Sequence, residues 1–543
     1  MFVRVKPSGG HRYLQIAQNY RQDGKVKQKI LCTLGRIEVL TESGKVDRLA
    51  ESLLRFCNRL KVIDLHKQGK LKATKDISIG PALVFERLWK ELGIGEVIGN
   101  VLSGRRYGFD LERAVFLTVL HRLFDPGSDR AAERWREDFR VPGAEAIELH
   151  QLYRAMGWLG EKEADGAQRL TKDRIEELLF AGRRDLFSSL KVLFFDTTSI
   201  YFEGEGGESI GQFGHSKDKR SDLKQIVVGA ALDDEGRPVC CEILPGNASD
   251  VKLFLPVIKG IKSRFGVDSF CVVADRGMIS KKTIEALESP GSGIDYILGC
   301  RMRRQKEVKE EVLGRGGRYQ EVEFERETSE DPLVIKVKEV EVEGRRYIVC
   351  FNPEQAIKDA ADRQAIAESL RERLKRGEKS LVGNRGYRKY LKNEGGSSRF
   401  SIDEEKLKEE ARYDGKWVLR TNTSYSAEEV AFQYKQLWMV EQAFRSVKGV
   451  LETRPIYHKC DDTIRGHVFC SFLALMLMKE LLSRLERKGK KFEWNDIKRD
   501  LQALREIELE TGGEKYYLRT ELRGTCFDVL SAAGVAVPPT LRR

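Results

Sequence analysis

Hydrophobic and polar positions change their period several times along the chain. In the first 75 residues, stretches such as "HRYLQIAQNY" and "KVKQKILCTLG" alternate apolar and polar residues between glycine turns, which predicts a small β region followed by a helix. From "IGPALVFERLWKEL" to about residue 186 the spacing becomes helical: Val84, Leu88 and Leu92 fall on one face, with Phe85 and Trp89 beside them. Pro126 and Gly127 end one helix, and Ser128 is placed to cap the next. Short helices with scattered arginines suit a helix-turn-helix DNA reader and ordinary helical packing alike.

From residue 188 the apolar runs shorten to strand length. "VLFFD" predicts a strand, "LKQIVVGAALDDEGRPVCCEILPG" two strands around a Glu-Gly turn, and "VKLFLPVIKGIKSRFG" a helix. "SFCVVAD" is a further strand, "SKKTIEAL" a helix and "DYILGCRM" another strand. Three strands followed by helix, strand, helix and strand predict a mixed α/β sheet, antiparallel at its start and parallel after its crossovers. Residues 301–411 interrupt that order. "VIKVKEVEVEGRRYIVCF" alternates as exposed strands do and "DAADRQAIAESLRERLKRG" is a charged helix, so a β-rich inserted subdomain is expected. "KWVLRTNT" resumes the sheet, and "SAEEVAFQYKQLWMVEQAFRSVKG" reads as one long helix, with Ser426 and Glu429 spaced as a capping box. The tail from about 481 reads as basic and helical. The expected organisation is a small β/α region (1–75), a helical region with a possible DNA-binding role (76–186), an α/β core in two parts (187–300 and 412–480) around the insertion (301–411), and a helical C-terminal region (481–543).

With 543 residues, 41% of them hydrophobic, the chain can bury several cores. Lys and Arg total 96 against 84 Asp and Glu, a net charge of +12. That balance favours a polyanionic partner such as nucleic acid or an acidic membrane face; a well-solvated surface that leans basic explains it equally well. The opening "MFVRVKPSGG" has no apolar signal-peptide core. The run Val468 to Met478 is shorter than the roughly 20 residues that cross a bilayer. A soluble, cytoplasmic protein without a membrane partner is expected. The 10 cysteines include no Cys-x-x-Cys pair, as suits reduced thiols. His458, Cys460, His467 and Cys470 could be drawn as a zinc site, but their spacing matches no common finger and Cys470 sits in an apolar helical run, so core and surface roles are expected.

Two aspartates close apolar strands of the same sheet: Asp196 after "VLFF" and Asp275 after "FCVVA". Ligands bind beyond strand ends in open α/β sheets, although for either residue alone a plain turn is the simpler reading. Two carboxylates held close repel each other unless a cation joins them, and hard oxygen donors suit Mg²⁺ or Mn²⁺. A third acid comes from the long helix. Tyr434, Leu437, Glu441, Arg445 and Lys448 share one helical face, opposite Phe432, Val440, Ala443 and Val447. Alone, Glu441 and Arg445 would be an ordinary pair one turn apart. Three acids with two basic neighbours suit metal-assisted phosphoryl transfer, with Arg445 and Lys448 turned to backbone phosphates. No Gly-x4-Gly-Lys-Ser/Thr loop supports ATP use, and no Ser-His or Cys-His nucleophile pattern is visible.

Together these motifs resemble the bacterial insertion-sequence transposases of the DDE class, in the group with an inserted β subdomain and a signature helix reading Tyr-x2-Arg-x3-Glu-x6-Lys. "FFDTTSIYFEG" resembles the first-Asp strand, "GHSKDKRSDLKQIVVGAAL" the following hairpin, "VVADRGMIS" the second-Asp strand and "YKQLWMVEQAFRSVK" the signature helix. "LVGNRGYRKYL" and "RPIYHKCDDTIRGHVFCSFLAL" are also similar to family text, so the resemblance covers most of the chain. It implies an RNase H-like mixed-sheet core, catalytic and metal-binding roles for Asp196, Asp275 and Glu441, and Mg²⁺ as cofactor, with Mn²⁺ able to substitute. It also implies binding of double-stranded DNA at terminal inverted repeats and strand transfer by a homodimer assembled on paired ends, in a bacterial cytoplasm and nucleoid-associated when acting. Tyr434 and Lys448 fall on the flanking signature positions. Where the signature has Arg the chain has Leu437, so that phosphate contact does not carry over; Arg445 is the candidate replacement.

Basic segments supply the remaining candidate DNA contacts: Lys217, Lys219 and Arg220 in "GHSKDKRSD", Arg276 beside Asp275, and Arg385, Arg388 and Lys389 around Tyr387 in "GNRGYRKYL". A charge run is usually only a solvated loop. Two rival functions stay open at this point: an RNase H-fold nuclease that cuts without rejoining, and a catalytically silent DNA-binding protein.

Overall fold

The computed structural model describes the chain except for residues 23–24, 55–65, 67, 164–168, 184–189, 325–331, 377–388, 394–399 and 512–513. Its packing divides into two units, one of Met1–Leu83, Glu137–Arg140 and Phe492–Arg543, the other of Val84–Arg136 and Val141–Lys491.

The first unit opens with the strands that the early alternation predicts. β1 (Phe2–Ser8), β2 (His11–Gln22) and β3 (Lys25–Arg36) form an antiparallel sheet, followed by helices α1 (Ile37–Glu42) and α2 (Lys45–Leu54). β4 (Lys72–Ser78) then leads into α3 (Gly80–Glu91).

The second unit takes α3 from Val84 on and continues with helices α4 (Ile94–Val101), α5 (Leu111–Phe124), α6 (Asp129–Trp135), α7 (Leu149–Gly160) and α8 (Thr171–Arg183). Val84, Phe85, Leu88 and Trp89 are buried as their helical spacing requires. The Ser128 hydroxyl accepts a hydrogen bond from the Ala131 amide at 3.2 Å, closing the N-terminus of α6.

The sheet follows: β5 (Val192–Tyr201), β6 (Gln225–Leu232), β7 (Pro238–Pro245), helix α9 (Asp250–Phe265), β8 (Phe270–Ala274), helix α10 (Lys281–Leu287) and β9 (Ile294–Gly299). β5, β6 and β7 pair antiparallel, while β8 lies parallel to β5 and β9 parallel to β8. The order β7-β6-β5-β8-β9 with these directions is the mixed arrangement of an RNase H-like core. Phe195, Val272 and Leu298 of the sheet pack with Phe254 and Ile258 of α9, which covers that face.

The β-rich segment expected as an insertion extends the same sheet. It contains β10 (Gln320–Phe324), β11 (Leu333–Val342), β12 (Arg345–Phe351), helix α11 (Pro353–Arg376), the short pair β13 (Leu391–Asn393) and β14 (Phe400–Ile402), and helix α12 (Glu404–Ala411). β15 (Lys416–Thr421) then pairs with β12 on one side and β9 on the other, giving nine strands in the order β10-β11-β12-β15-β9-β8-β5-β6-β7 among the described residues. The alternating stretch is exposed at Glu339 and Glu341 and buried at the positions between and beside them. Val340, Val342, Tyr347 and Val349 pack with Val308 and Val312 in a core of their own.

The stretch after β15 is not one helix. α13 (Ala427–Lys435) carries the expected capping box, with the Glu429 amide donating to the Ser426 hydroxyl at 3.1 Å and the Ser426 amide to the Glu429 carboxylate at 2.7 Å. α14 (Trp438–Arg445) follows after a tightened turn in which the Leu437 amide reaches the Tyr434 carbonyl (3.2 Å) and the Met439 amide the Gln436 carbonyl (2.9 Å). A wider turn, Ser446–Val450, ends it. Val440, Ala443 and Val447 are buried as expected, but Phe432 is 44% exposed and stacks on Phe324. The long helix α15 (Asp461–Arg487) packs against α5 and α7. Among the described residues no helix is long and apolar enough to cross a membrane.

The C-terminal residues of the first unit differ from the helical tail expected. Helix α16 (Trp494–Gln502) is followed by strands β16 (Arg505–Thr511) and β17 (Glu514–Arg519), helix α17 (Cys526–Ala532) and strand β18 (Leu541–Arg542), in a sheet ordered β18-β17-β16-β4. "EIELET" and "KYYL" favour strands through their period of two and β-branched or aromatic residues. The buried Glu506 is held by Arg542 at 2.9 Å and by Arg140.

Candidate active site

Asp196 does not end its strand. β5 runs on to Tyr201 beside β6, but its parallel partner β8 stops: the last pair is Phe195 with Ala274. Asp196 and Asp275 are therefore the next residues in register on neighbouring strands, at the point where the sheet loses one strand and an edge opens. Val192 to Phe195 are buried, which fixes the register that delivers Asp196. Asp275 caps a short turn, Arg276–Met278, whose Met278 amide reaches the Asp275 carbonyl at 3.1 Å. Burial pushes the Asp196 carboxyl above its ordinary range; Lys217 opposes that shift, while the charges of Asp275 and Asp250 add to it.

Lys217 ties this edge together. Its ammonium donates to the Thr197 carbonyl at 2.5 Å and to the Thr197 hydroxyl at 2.8 Å, and stands 3.7 Å from both Asp196 Oδ1 and Asp250 Oδ2. The Thr197 hydroxyl in turn donates to Asp250 Oδ1 at 2.8 Å. Asp250 opens α9, so a fourth carboxylate belongs to the site.

The helical segment supplies the other wall. Tyr434 at the end of α13 donates its hydroxyl to Asp275 Oδ1 at 2.9 Å. Glu441 and Arg445 on α14 are exposed, and with Asp196, Lys217, Asp218, Lys448 and Arg454 they line one cleft of about 500 Å³. Asp275 and Arg276 line a second, of about 430 Å³, with Arg301 to Arg304. A third contains Lys217, Asp250, Gly277 and Arg301, and so shares residues with each of the other two. Arg301 fixes the turn after Asp275 by donating to the carbonyls of Arg276 and Gly277, both at 2.9 Å. A strip of carboxylates flanked by guanidinium and ammonium groups suits a polyanion whose charge is handled at one point and held at several.

Residues 188–477 match the transposase DDE domain family, and residues 3–68 match the N-terminal domain of the IS1634 transposase family. This chain belongs to the DDE transposases. No curated protein matches it in sequence. Among solved structures, it is similar at 10% identity to the piggyBac transposase synaptic complex with hairpin DNA, over 78% of this chain and 79% of that one, with a TM-score of 0.38. The Mos1 transposase paired-end complex with the left transposon end is similar at 12% identity, over 34% of this chain and 59% of that one, with a TM-score of 0.14.

The residues singled out in the transposase sequence are brought together unevenly. Asp196, Glu441, Lys217, Arg445 and Lys448 share a cleft, and Asp275 and Arg276 share the next. Arg220 is paired with Asp222 at 2.9 Å and lies over the Tyr201 ring, and Lys219 is exposed. Lys389 shares Glu410 with Arg303, which lines the Asp275 cleft. Arg385, Tyr387 and Arg388 lie outside the described residues. Asp218, Asp250, Arg454 and the run Arg301 to Arg304 escaped the sequence reading; only the last left a signal, three arginines just beyond a strand. His458 and His467 sit in a buried network with Arg122.

The DDE family implies a divalent metal. The hard oxygens of Asp196 and Asp275, adjacent in register, fit such an ion, and among the described residues the half-buried Asp196 has the Lys217 ammonium, at 3.7 Å, as its ion-pair partner. Among the described residues no three His, Cys, Asp or Glu side chains converge on one point as a metal cage. Asp196 and Asp275 would hold such an ion, and Glu441 lines the same cleft as Asp196.

Proposed function

We propose that this transposase binds the terminal inverted repeats of a bacterial insertion sequence as double-stranded DNA, and cuts and transfers strands at Asp196, Asp275 and Glu441. The observation that most supports this reading is the register of Asp196 and Asp275 at the end of β8, with Glu441 on the same cleft as Asp196. Mg²⁺ is the proposed ion, with Mn²⁺ able to substitute; when bound it lowers the charge barrier to attack by water or a 3′ hydroxyl on a phosphodiester. Tyr434 holds the Asp275 carboxylate in one orientation, and Lys217 offsets the charge of Asp196 and Asp250. Arg445 and Lys448 meet backbone phosphates beside the scissile bond, and Arg276 with Arg301 to Arg304 guides the strand past Asp275. Lys219, Arg220 and Lys389 are outer backbone contacts in this reading. A homodimer on paired ends, acting on target DNA in the bacterial cytoplasm at the nucleoid, completes it.

The test is a cleavage assay with purified protein on a fragment carrying the element's own ends, with Mg²⁺ or EDTA, beside Glu441→Gln. Nicking at the element boundary that needs metal and falls at least about 100-fold in the variant is the expected result. Cutting without joining would make the protein a nuclease, and binding without cutting a silent DNA-binding protein.

A further inference from the structure

Two cations in the cleft of Asp196 and Glu441 converge on a single carboxylate. Lys448 Nζ donates to Asp218 Oδ1 at 2.8 Å, and Arg454 Nη1 lies 2.6 Å from Asp218 Oδ2. All three side chains line the cleft, and none is more than 29% exposed. Asp218 comes from the loop between β5 and β6, whereas its partners come from the turns that follow α14.

Two features mark this as an imperfect fit. Asp218 Oδ2 is buried yet accepts no hydrogen bond, because the Arg454 guanidinium is close without being aligned. The next residue, Lys219, has a φ of +59°, a left-handed backbone that residues other than glycine seldom adopt, so the loop is bent where it delivers the carboxylate. What Lys448 and Arg454 offer is a pair of charged donors aimed at two oxygens of one anionic group, which a phosphodiester satisfies at least as well as a carboxylate. Lys217, the neighbour of Asp218, adds a third cation to the same cleft.

We propose that Asp218 occupies, in the DNA-free protein, the seat of a backbone phosphate formed by Lys448 and Arg454, and that the loop from Gly214 to Asp222 withdraws it when a strand enters. The ligand class is a nucleic-acid phosphodiester, and the inference rests on the DNA-end reading given above. Arg454 then supplies a guanidinium to the phosphates that Leu437 cannot.

The experiment titrates full-length protein, Asp218→Asn, Asp218→Ser and Arg454→Gln against a fluorescent duplex carrying the element end, by anisotropy, at about 50 mM and about 200 mM salt. Thermal melts confirm that each variant is folded. Both Asp218 variants are expected to bind about 3- to 10-fold tighter at the lower salt, with a smaller gain at the higher, since screening weakens the competition that they remove. Arg454→Gln is expected to bind more weakly by a similar factor. Folded Asp218 variants that bind equally or less well would overturn the proposal and make Asp218 a clamp that keeps Lys448 and Arg454 in position. Wild-type protein that binds the duplex without cutting it removes the cleavage reading and leaves this comparison decisive; wild-type protein that does not bind at all overturns both.

Discussion

The Tyr434 hydroxyl and the Asp275 carboxylate meet at 2.9 Å across 159 residues of sequence, joining the end of α13 to the end of β8. Burial first, and the charge of Asp275 next, push the Tyr434 phenol well above its ordinary range, so it stays a neutral donor at any working pH. A hydrogen bond to a charged acceptor contributes roughly 1.5–3 kcal/mol, enough to select one orientation of the carboxylate.

Tyr434→Phe keeps the ring and removes only that donor. Single-turnover cleavage of an end-bearing duplex is expected to slow about 10-fold, with affinity for the duplex changed by less than about 2-fold. Unaltered cleavage would detach Tyr434 from the chemistry.

Gly299 shows how closely the tyrosine is fitted. A Cβ there would overlap the Tyr434 hydroxyl and lie 3.1 Å from its ring carbon Cζ and 3.2 Å from the Arg276 amide nitrogen. Gly299→Ala is therefore expected to lower stability by about 1–3 kcal/mol in urea denaturation and to reduce cleavage at least as far as Tyr434→Phe. Combining the two substitutions should return part of the stability, because the overlapping oxygen is gone, and none of the activity. A fully stable, active Gly299→Ala protein would mean that the ring moves freely on β9.

Lys217 stands where charge is hardest to place. With its ammonium 3.7 Å from Asp196 Oδ1 and from Asp250 Oδ2, it repels any further cation brought to those oxygens. Lys217→Met is expected to tighten Mn²⁺ binding about 3- to 10-fold in a calorimetric titration of the DNA-free protein, through the loss of about 1 kcal/mol of like-charge repulsion. Weaker binding would show instead that Lys217 holds the aspartates in position for the ion.

What the sequence discloses about this site follows the range of the forces involved. Asp196 and Asp275 are legible because each follows a run of buried residues whose strand character is local: Val192 to Phe195, and Phe270 to Ala274. The Ser426–Glu429 box is legible for the same reason, since four consecutive residues suffice to form it. The break at Leu437 is not, because no glycine or proline marks it and the chain keeps helical dihedrals, φ −57° and ψ −21°, while its hydrogen bonds tighten. The pairing of Asp218 with Lys448 spans 230 residues, and no local spacing can encode it. The strands β11 and β12 were legible as strands but not as buried, since their second face is covered by residues such as Val308 and Val312 from another segment.

A buried histidine pair behind the cleft makes stability depend on pH. His467 Nε2 faces the Thr453 carbonyl at 3.1 Å and must donate to it, which leaves Nδ1 as the acceptor for Arg122 Nη2 at 2.8 Å and His458 Nε2 at 2.9 Å. A second proton on His467 would point at the Arg122 guanidinium. Burial first, then Arg122, accordingly holds His467 well below its ordinary range and His458 at about 4. The other groups facing them are Asp129, 3.7 Å from His458, and the Tyr153 ring. Unfolded histidines gain protons as pH falls through about 6.5 while the folded pair does not, so its contribution is complete above that pH and is lost on acidification. For His458 the loss is about 3 kcal/mol and levels off near its folded value of about 4. Asp129, whose carboxyl is raised by burial, acts in the opposite sense, so the histidine term is read from a difference. Urea midpoints of wild type and His458→Gln at pH 7.5, 6 and 5 should converge as the pH falls, because only the wild type loses this term. A gap that widens as the pH falls would mean instead that Asp129 keeps His458 protonated in the fold, and an unchanged gap would mean that folding leaves its protonation unaltered.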